Sequence, residues 1–226
     1  MRLNLFQMKT KNILSIFLLG SLFISCLTSG KPDNFDYGHI ENGKYVNSFF
    51  KFEIALPDGW IVQSQEQMDN RTKRGADLIT GDDKTKNALI KAASINLANL
   101  LSVYQYEVGA PVDFNSNISI VAENINQSPG IKTGSDYLFH ARKYLKESPL
   151  GIEHIDENFN KEIIGGIEFY KMKYFMNINH IKINQIYYST ISNGFSLSFI
   201  ITFSDEVQQQ ELLKSVNSLN FLNKSN

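Results

Sequence analysis

The chain has 226 residues, 22 basic and 23 acidic side chains, a net charge of −1 and a single cysteine. That length suits one domain with a sizeable core. The near-neutral balance gives no electrostatic footprint for nucleic acid, which needs clustered Lys and Arg, and a lone cysteine excludes an intrachain disulfide framework.

The N-terminal segment runs from Lys9 and Lys11 through an apolar stretch, Ile13 to Ile24, to Ser25 and Cys26. A positive start, about a dozen apolar residues and a small residue before a cut are the parts of a secretory signal. The run is shorter than the roughly 20 apolar residues of a spanning helix. A cysteine directly after the small residue resembles a bacterial lipobox, in which the signal is removed just before a diacylglyceryl-modified Cys. The resemblance implies a signal peptide over 1–25, a lipid on Cys26, and a lipid-anchored place in the bacterial cell envelope, facing the periplasm or exterior. Translation from Met8 would leave the same signal complete. Residues 1–25 hold Arg2, Lys9 and Lys11 and no acid, so the mature chain has 19 basic and 23 acidic residues, net −4.

Residues 26–43, with Ser29, Gly30, Pro32, Asn34, Gly38 and Gly43, lack apolar periodicity and read as a lipidated flexible tether; a single domain is expected over 44–226. Phe50, Phe52 and Ile54 alternate with Lys51 and Glu53 as a half-buried strand. Leu56-Pro57-Asp58-Gly59-Trp60 turns the chain, with Pro57 presetting φ. Ser64 to Thr80 predicts a polar helix with Ser64 and Gln67 as a capping box; its thin apolar face (Met68, Ala76, Leu78, Ile79) suits an outer cover. Asp82-Asp83 reads as a solvated turn. Ile95 to Tyr106 and Ile118 to Ala122 are expected strands. Thr133 and Asp136 start a second helix whose apolar face is Tyr137, Leu138, Ala141, Tyr144 and Leu145, ended by Pro149 and Gly151.

The C-terminal third is the most strongly patterned. Ile164-Gly165-Gly166-Ile167 and Ser192-Asn193-Gly194-Phe195 are hairpin signals, the latter suiting a type I′ turn in which both central residues need φ > 0. Between them Tyr170, Met172, Tyr174, Met176 and Ile178 alternate along one face. Ile181, Ile183 and Tyr187 then share one side of the next strand, Ile186 and Tyr188 the other. Phe195, Leu197, Phe199, Ile201 and Phe203 form an unbroken period-two row, which must face a core because a one-residue slip would put five large apolar groups in water. A last helix begins at Ser204, with Asp205 and Glu206 at the positive end of its dipole and Leu212, Leu213, Val216 and Leu219 as its stripe.

These elements predict an α+β fold: an antiparallel sheet covered by helices on both faces. Phe50-Lys-Phe-Glu-Ile-Ala-Leu-Pro-Asp-Gly-Trp60 resembles the opening strand and turn of PsbP-like proteins. The Gly165-Gly166 hairpin, the Tyr187-Tyr188 strand, the Gly194-to-Phe203 strand and the closing helix are similar to that family's ending. The likeness covers roughly residues 44–221 and implies a Mog-type α/β/α sandwich. Members of that family are mainly accessory and binding proteins, so the resemblance implies a binding or assembly role and supplies no catalytic residue.

The chemistry-bearing residues form no pattern with fixed spacing. Of His39, His140, His154 and His180, only His154 lies near carboxylates, in His154-Ile-Asp156-Glu157, and that loop lacks the spacing of a helical metal motif. Ser196 and Ser198 lie opposite the Phe/Leu row, outside any G-x-S-x-G elbow. Gly165-Gly166 lacks the Lys and helix of a phosphate loop. Tyr104, Tyr106, Tyr170, Tyr174, Tyr187, Tyr188 and Trp60 suit core packing or cross-strand pairing, and Lys171 and Lys173 a solvated face. No catalytic residue, cofactor or metal is expected. The partners expected are the membrane, through the lipid on Cys26, and an unknown protein or envelope component. The alternatives are an envelope hydrolase or a small-ligand carrier with unidentified site residues.

Overall fold

The computed structural model describes residues 30–80 and 94–222. In chain order these residues form β1 (His39–Glu41), β2 (Lys44–Asn47), β3 (Phe52–Ala55), β4 (Ile61–Val62), α1 (Gln65–Thr80), β5 (Leu97–Tyr104) and β6 (Asn117–Asn124). There follow α2 (Gly134–Glu147), β7 (Ile152–Ile155), β8 (Asn160–Ile164), β9 (Ile167–Ile178), β10 (Ile181–Ser192), β11 (Phe195–Phe203), α3 (Glu206–Asn217) and β12 (Asn220–Phe221). Eight strands make the main sheet, in the order β4-β5-β6-β11-β10-β9-β7, with β8 also paired to β9. A second sheet of four has the order β1-β2-β3-β12. Every pairing is antiparallel.

The turns follow from the residues that make them. Gly165 and Gly166 take φ of 58° and 80°, and Asn193 and Gly194 take 50° and 78°, the left-handed pair that matches the twist of the flanking strands. Thr133 caps α2 reciprocally: its Oγ1 accepts from the Asp136 N–H at 3.2 Å, and Asp136 Oδ2 accepts from the Thr133 N–H at 2.8 Å. Asp205 caps α3 by accepting from the Gln208 N–H at 2.9 Å.

The main sheet is buried on both faces, and the two covers differ. Phe195, Leu197, Phe199, Ile201 and Phe203 are all buried. They pack with Tyr45, Phe52 and Ile54 of the small sheet and with Leu212 and Val216 of α3. On the opposite face Tyr174, Met176, Ile183 and Tyr187 pack with Tyr137, Leu138 and Leu145 of α2. The mixed α+β antiparallel class expected from the sequence is therefore present, while the sandwich differs in one layer. A four-stranded sheet shares the second cover with α3, because β2 and β3 bring Tyr45, Phe52 and Ile54 to the face where Phe199 lies.

The boundary expected at residue 44 falls differently in the structure. Phe35 packs 5.3 Å from the Phe195 ring and 5.0 Å from Phe49, and Asp36 accepts from the N–H and hydroxyl of Ser48 at 2.9 and 2.8 Å. Residues 35–43 thus belong to the folded unit, since an aromatic ring and a bonded carboxylate anchor them to it. The strand expected from Phe50 starts at Phe52 instead, because Lys51 turns with φ of 55°.

Gly134 lets the start of α2 lie close against β10. A Cβ built there would lie 2.0 Å from the Ser189 carbonyl oxygen, a backbone atom that cannot move aside. Gly134→Ala is expected to lower stability by at least about 1–3 kcal/mol through overpacking, measured by urea titration. A neutral substitution would show that α2 does not sit on β10 as described.

Candidate functional site

α1 begins with the expected capping box: the Ser64 N–H donates to Gln67 Oε1 at 2.7 Å, and the Gln67 N–H donates to Ser64 Oγ at 3.2 Å. That start directs Met68 and Arg71, three residues apart on one helix face, down onto the main sheet, where both are buried. The strand beneath is shaped to receive them. A bulge in β5 between Asn99 and Leu101 sends the consecutive Leu100 and Leu101 into the same core. Ser102 and Tyr104 are thereby left on the α1 side.

Arg71 is 7% exposed. One terminal nitrogen donates to Tyr104 Oη at 2.7 Å and to Ser102 Oγ at 3.3 Å, the other to Gln63 Oε1 at 2.9 Å. The guanidinium carbon lies 4.6 Å from the Tyr104 ring centroid. Ser102 Oγ is in turn 3.1 Å from Ser119 Oγ. Burial lowers the proton affinity of Arg71, yet a guanidinium keeps its charge in proteins. A buried cation is ordinarily paired with a carboxylate. These hydrogen-bond acceptors are all neutral, and Arg71 Nε and Gln63 Nε2 are buried donors without a protein acceptor.

Beside the guanidinium is a cleft of about 20 Å³ lined by Met68, Arg71, Thr72, Asn99, Ser102 and Ser119 among others. That is room for about one water-sized group. At its rim Asn99 Nδ2 donates to Thr72 Oγ1 at 3.1 Å and to Asp69 Oδ1 at 3.2 Å. The arrangement can hold a small electronegative group by charge and by N–H and O–H donation. Sequence reading missed it: Arg71 sits in a helix expected to be an outer cover, and no spacing rule links residue 71 to residues 102 and 104.

A second buried polar group lies under α2. Glu123 is buried on β6, its Oε2 accepting from the Tyr137 hydroxyl at 2.8 Å. Burial pushes its carboxyl up to about 8, against a smaller downward pull from Tyr137. Burial likewise raises the neighbouring Tyr187 phenol to about 12. Between β10 and β11, the Ser189 and Ser196 hydroxyls are 3.0 Å apart, and Ser198 Oγ lies 3.3 Å from Ser196 and 3.4 Å from Ser189. Ser196 and Ser198 are almost wholly buried, so no substrate reaches these hydroxyls without opening the sheet.

The other sequence candidates are dispersed. His154 Nε2 lies 3.6 Å from Asp156 Oδ1, with its ring stacked on Phe175 at 5.7 Å. Asp156 also accepts from the Lys173 N–H at 2.9 Å, and Glu157 pairs with Lys146 at 3.2 Å while its carbonyl takes an Arg142 donor. The cluster ties β7 to β9 and α2. Among the described residues no three His, Cys, Asp or Glu gather as a metal site requires. His39 lies exposed in β1, and His180, with φ of 66°, occupies the β9–β10 turn. Lys171 reaches Glu162 Oε2 at 2.5 Å and is half-buried in that ion pair, so it departs from the solvated face expected for it, whereas Lys173 is exposed. Trp60 Nε1 donates to Glu211 Oε1 at 3.1 Å, and Tyr106 is exposed. Asp82, Asp83 and Cys26 lie outside the described residues, and among those residues no helix is long and apolar enough to cross a membrane.

No family model matches the chain, and no curated protein matches it. Solved structures do. A protein from Bacteroides thetaiotaomicron VPI-5482 aligns at 13% identity and a TM-score of 0.43 over 83% of this chain and 51% of its own length. The chain thus spans about half of that protein. Cyanobacterial PsbP (CyanoP) from Synechocystis sp. PCC 6803 aligns at 12% identity and 0.48, over 79% of this chain and 91% of its own. LpqN, involved in cell envelope biogenesis of Mycobacterium tuberculosis, aligns at 12% identity and 0.44, over 76% and 83%. The structural neighbours therefore include PsbP, from the family that the Phe50-to-Trp60 motif resembles; at these scores none of them decides what this chain binds.

Proposed function

We propose that this chain is a non-enzymatic, lipid-anchored cell-envelope domain that binds a partner protein or envelope component through an anionic group seated at Arg71. The observation that carries the reading is the guanidinium whose acceptors are neutral and whose Nε has no protein acceptor, set beside a small cleft. The hydroxyls around it favour binding over nucleophilic chemistry. Ser102 bonds to Ser119 and to a permanently charged guanidinium, which cannot accept a proton from a serine as a general base must. A cleft of about 20 Å³ admits only the tip of a ligand, which suits a macromolecular partner better than a carried small molecule.

Two measurements test the reading. Nitrogen-15 NMR of the arginine side chains, titrated with acetate and with inorganic phosphate, should move the Arg71 Nε–H resonance saturably. Arg71→Gln should abolish that response while the other arginines stay unchanged. A resonance indifferent to both anions overturns the anion site. For the anchor, the mass of the membrane-extracted protein should show a diacylglyceryl group on Cys26 and loss of residues 1–25, and Cys26→Ala should release the protein from membranes. A mass without lipid overturns the anchored reading.

A further inference from the structure

The main sheet has two distinct ends, and the chain enters at one of them. At the first end Asn124 is paired with Phe195, and Leu97 with Glu123. The hairpin turn at Asn193 and Gly194 and the turn from Ile125 to Gly130 therefore lie together there, joined by the Ile125 N–H donating to the Gly194 carbonyl at 3.0 Å. At the other end Asn117 is paired with Tyr104 and Thr202. The loop 105–116 and the start of α3 lie there, joined by Gln208 Nε2 donating to Gln105 Oε1 at 3.4 Å. Asn117 and Asn124 are seven strand residues apart, a separation of roughly 23 Å.

The first described residues are fastened to the Asn124 end. Asn124 Nδ2 donates to the Gly30 carbonyl at 3.2 Å, and Lys31 Nζ donates to the Ile95 carbonyl at 3.2 Å. Only Leu27, Thr28 and Ser29 separate Gly30 from Cys26. Even fully extended, that link spans no more than about 14 Å between the Cα atoms of Cys26 and Gly30.

We propose that the Asn124 end of the main sheet rests on the bilayer surface, and that the loop 105–116 end points away from it. This rests on the lipid at Cys26. Given that anchor, a link this short cannot hold the domain clear of the headgroups, and the occupant of this surface is the membrane itself. Among the described residues, the surface presented includes the turn Asn126-Gln-Ser-Pro-Gly130, which carries no charged side chain, with Ile95 more than half exposed beside the bound Lys31. The opposite end carries exposed Tyr106, Val108, Val112 and Val207, and the orientation turns these groups toward the envelope space.

Cys26 is the sole cysteine, so in the lipidated protein an introduced thiol is the one labelling site. Gln127→Cys and Glu107→Cys, each on an exposed position, are labelled with a fluorophore. Each is then reconstituted in phosphatidylcholine vesicles containing a nitroxide-headgroup lipid. The label at 127 should lose most of its fluorescence and the label at 107 little. A ten-residue Gly/Ser insertion between Ser29 and Gly30 should weaken quenching at 127. Equal quenching at the two positions, or stronger quenching at 107, overturns the orientation if the same sample carries the diacylglyceryl mass. A sample that lacks that mass overturns the anchor, and the orientation with it.

Discussion

Phe199→Ala is expected to lower unfolding stability by about 3–5 kcal/mol, through lost transfer energy and the cavity left behind. Its ring is buried on the centre of β11, 5.3 Å from Phe52 of the small sheet and 5.6 Å from Phe169 of β9. The loss is a large share of the roughly 5–15 kcal/mol that holds a domain of this kind, so guanidinium titration should show a much lower midpoint. Ile163→Ala is the control: that side chain is 65% exposed and should change stability by no more than about 0.5 kcal/mol. A Phe199→Ala protein as stable as the control would mean that the two sheets do not pack on this row.

Ser198, one residue away, separates two views of the same strand. On a sheet with a solvated outer face its truncation would matter little. Here its hydroxyl is buried and within 3.3 Å of Ser196 and 3.4 Å of Ser189. Ser198→Ala therefore leaves partners short of a bond, and about 1–3 kcal/mol is expected, between the control and Phe199→Ala.

The second large effect is a pH dependence carried by Glu123. Burial raises its carboxyl from the ordinary 4.5 to about 8 in the folded protein, so between those values the folded state keeps a proton that the unfolded chain has released. Stability contributed by this group is thus full below pH 4.5, falls as pH rises through the window, and levels off above about 8. At 1.36 kcal/mol for each pH unit, the loss across the window approaches about 5 kcal/mol. Glu123→Gln keeps the shape and the acceptor for Tyr137 but carries no titrating proton. The difference in stability between wild type and this variant, measured by urea titration from pH 4 to 9, should move steadily in the variant's favour and flatten near pH 8. A difference independent of pH would show that the carboxyl is ionised, or solvated, in the folded protein.

These expectations differ in how far the sequence carries them. Phe199 was legible because five large apolar residues at period two permit only one face inward. The left-handed pairs at Gly165-Gly166 and Asn193-Gly194 were legible because those residue types make such turns at little steric strain. The boxes at Ser64/Gln67 and Thr133/Asp136 were legible because a cap is a bond between near neighbours. Each of these is a local rule, satisfied within a few residues.

What the local rules leave open is which side chains meet across the fold. The sequence by itself determined the strands, turns and closing helix of the C-terminal third and the antiparallel α+β class. Tertiary structure alone decided that a second sheet would cover one face beside α3, because β1, β2 and β12 are short and gain their stability from pairing with neighbouring strands rather than from propensity. It decided that Arg71 of an apparently exterior helix would lie buried on Ser102 and Tyr104, and that Glu123 would find Tyr137 fourteen residues on. The charge of an arginine or a glutamate is read at its own position. Its desolvation depends on everything packed around it, and desolvation is what turns these two residues from surface charges into candidate sites.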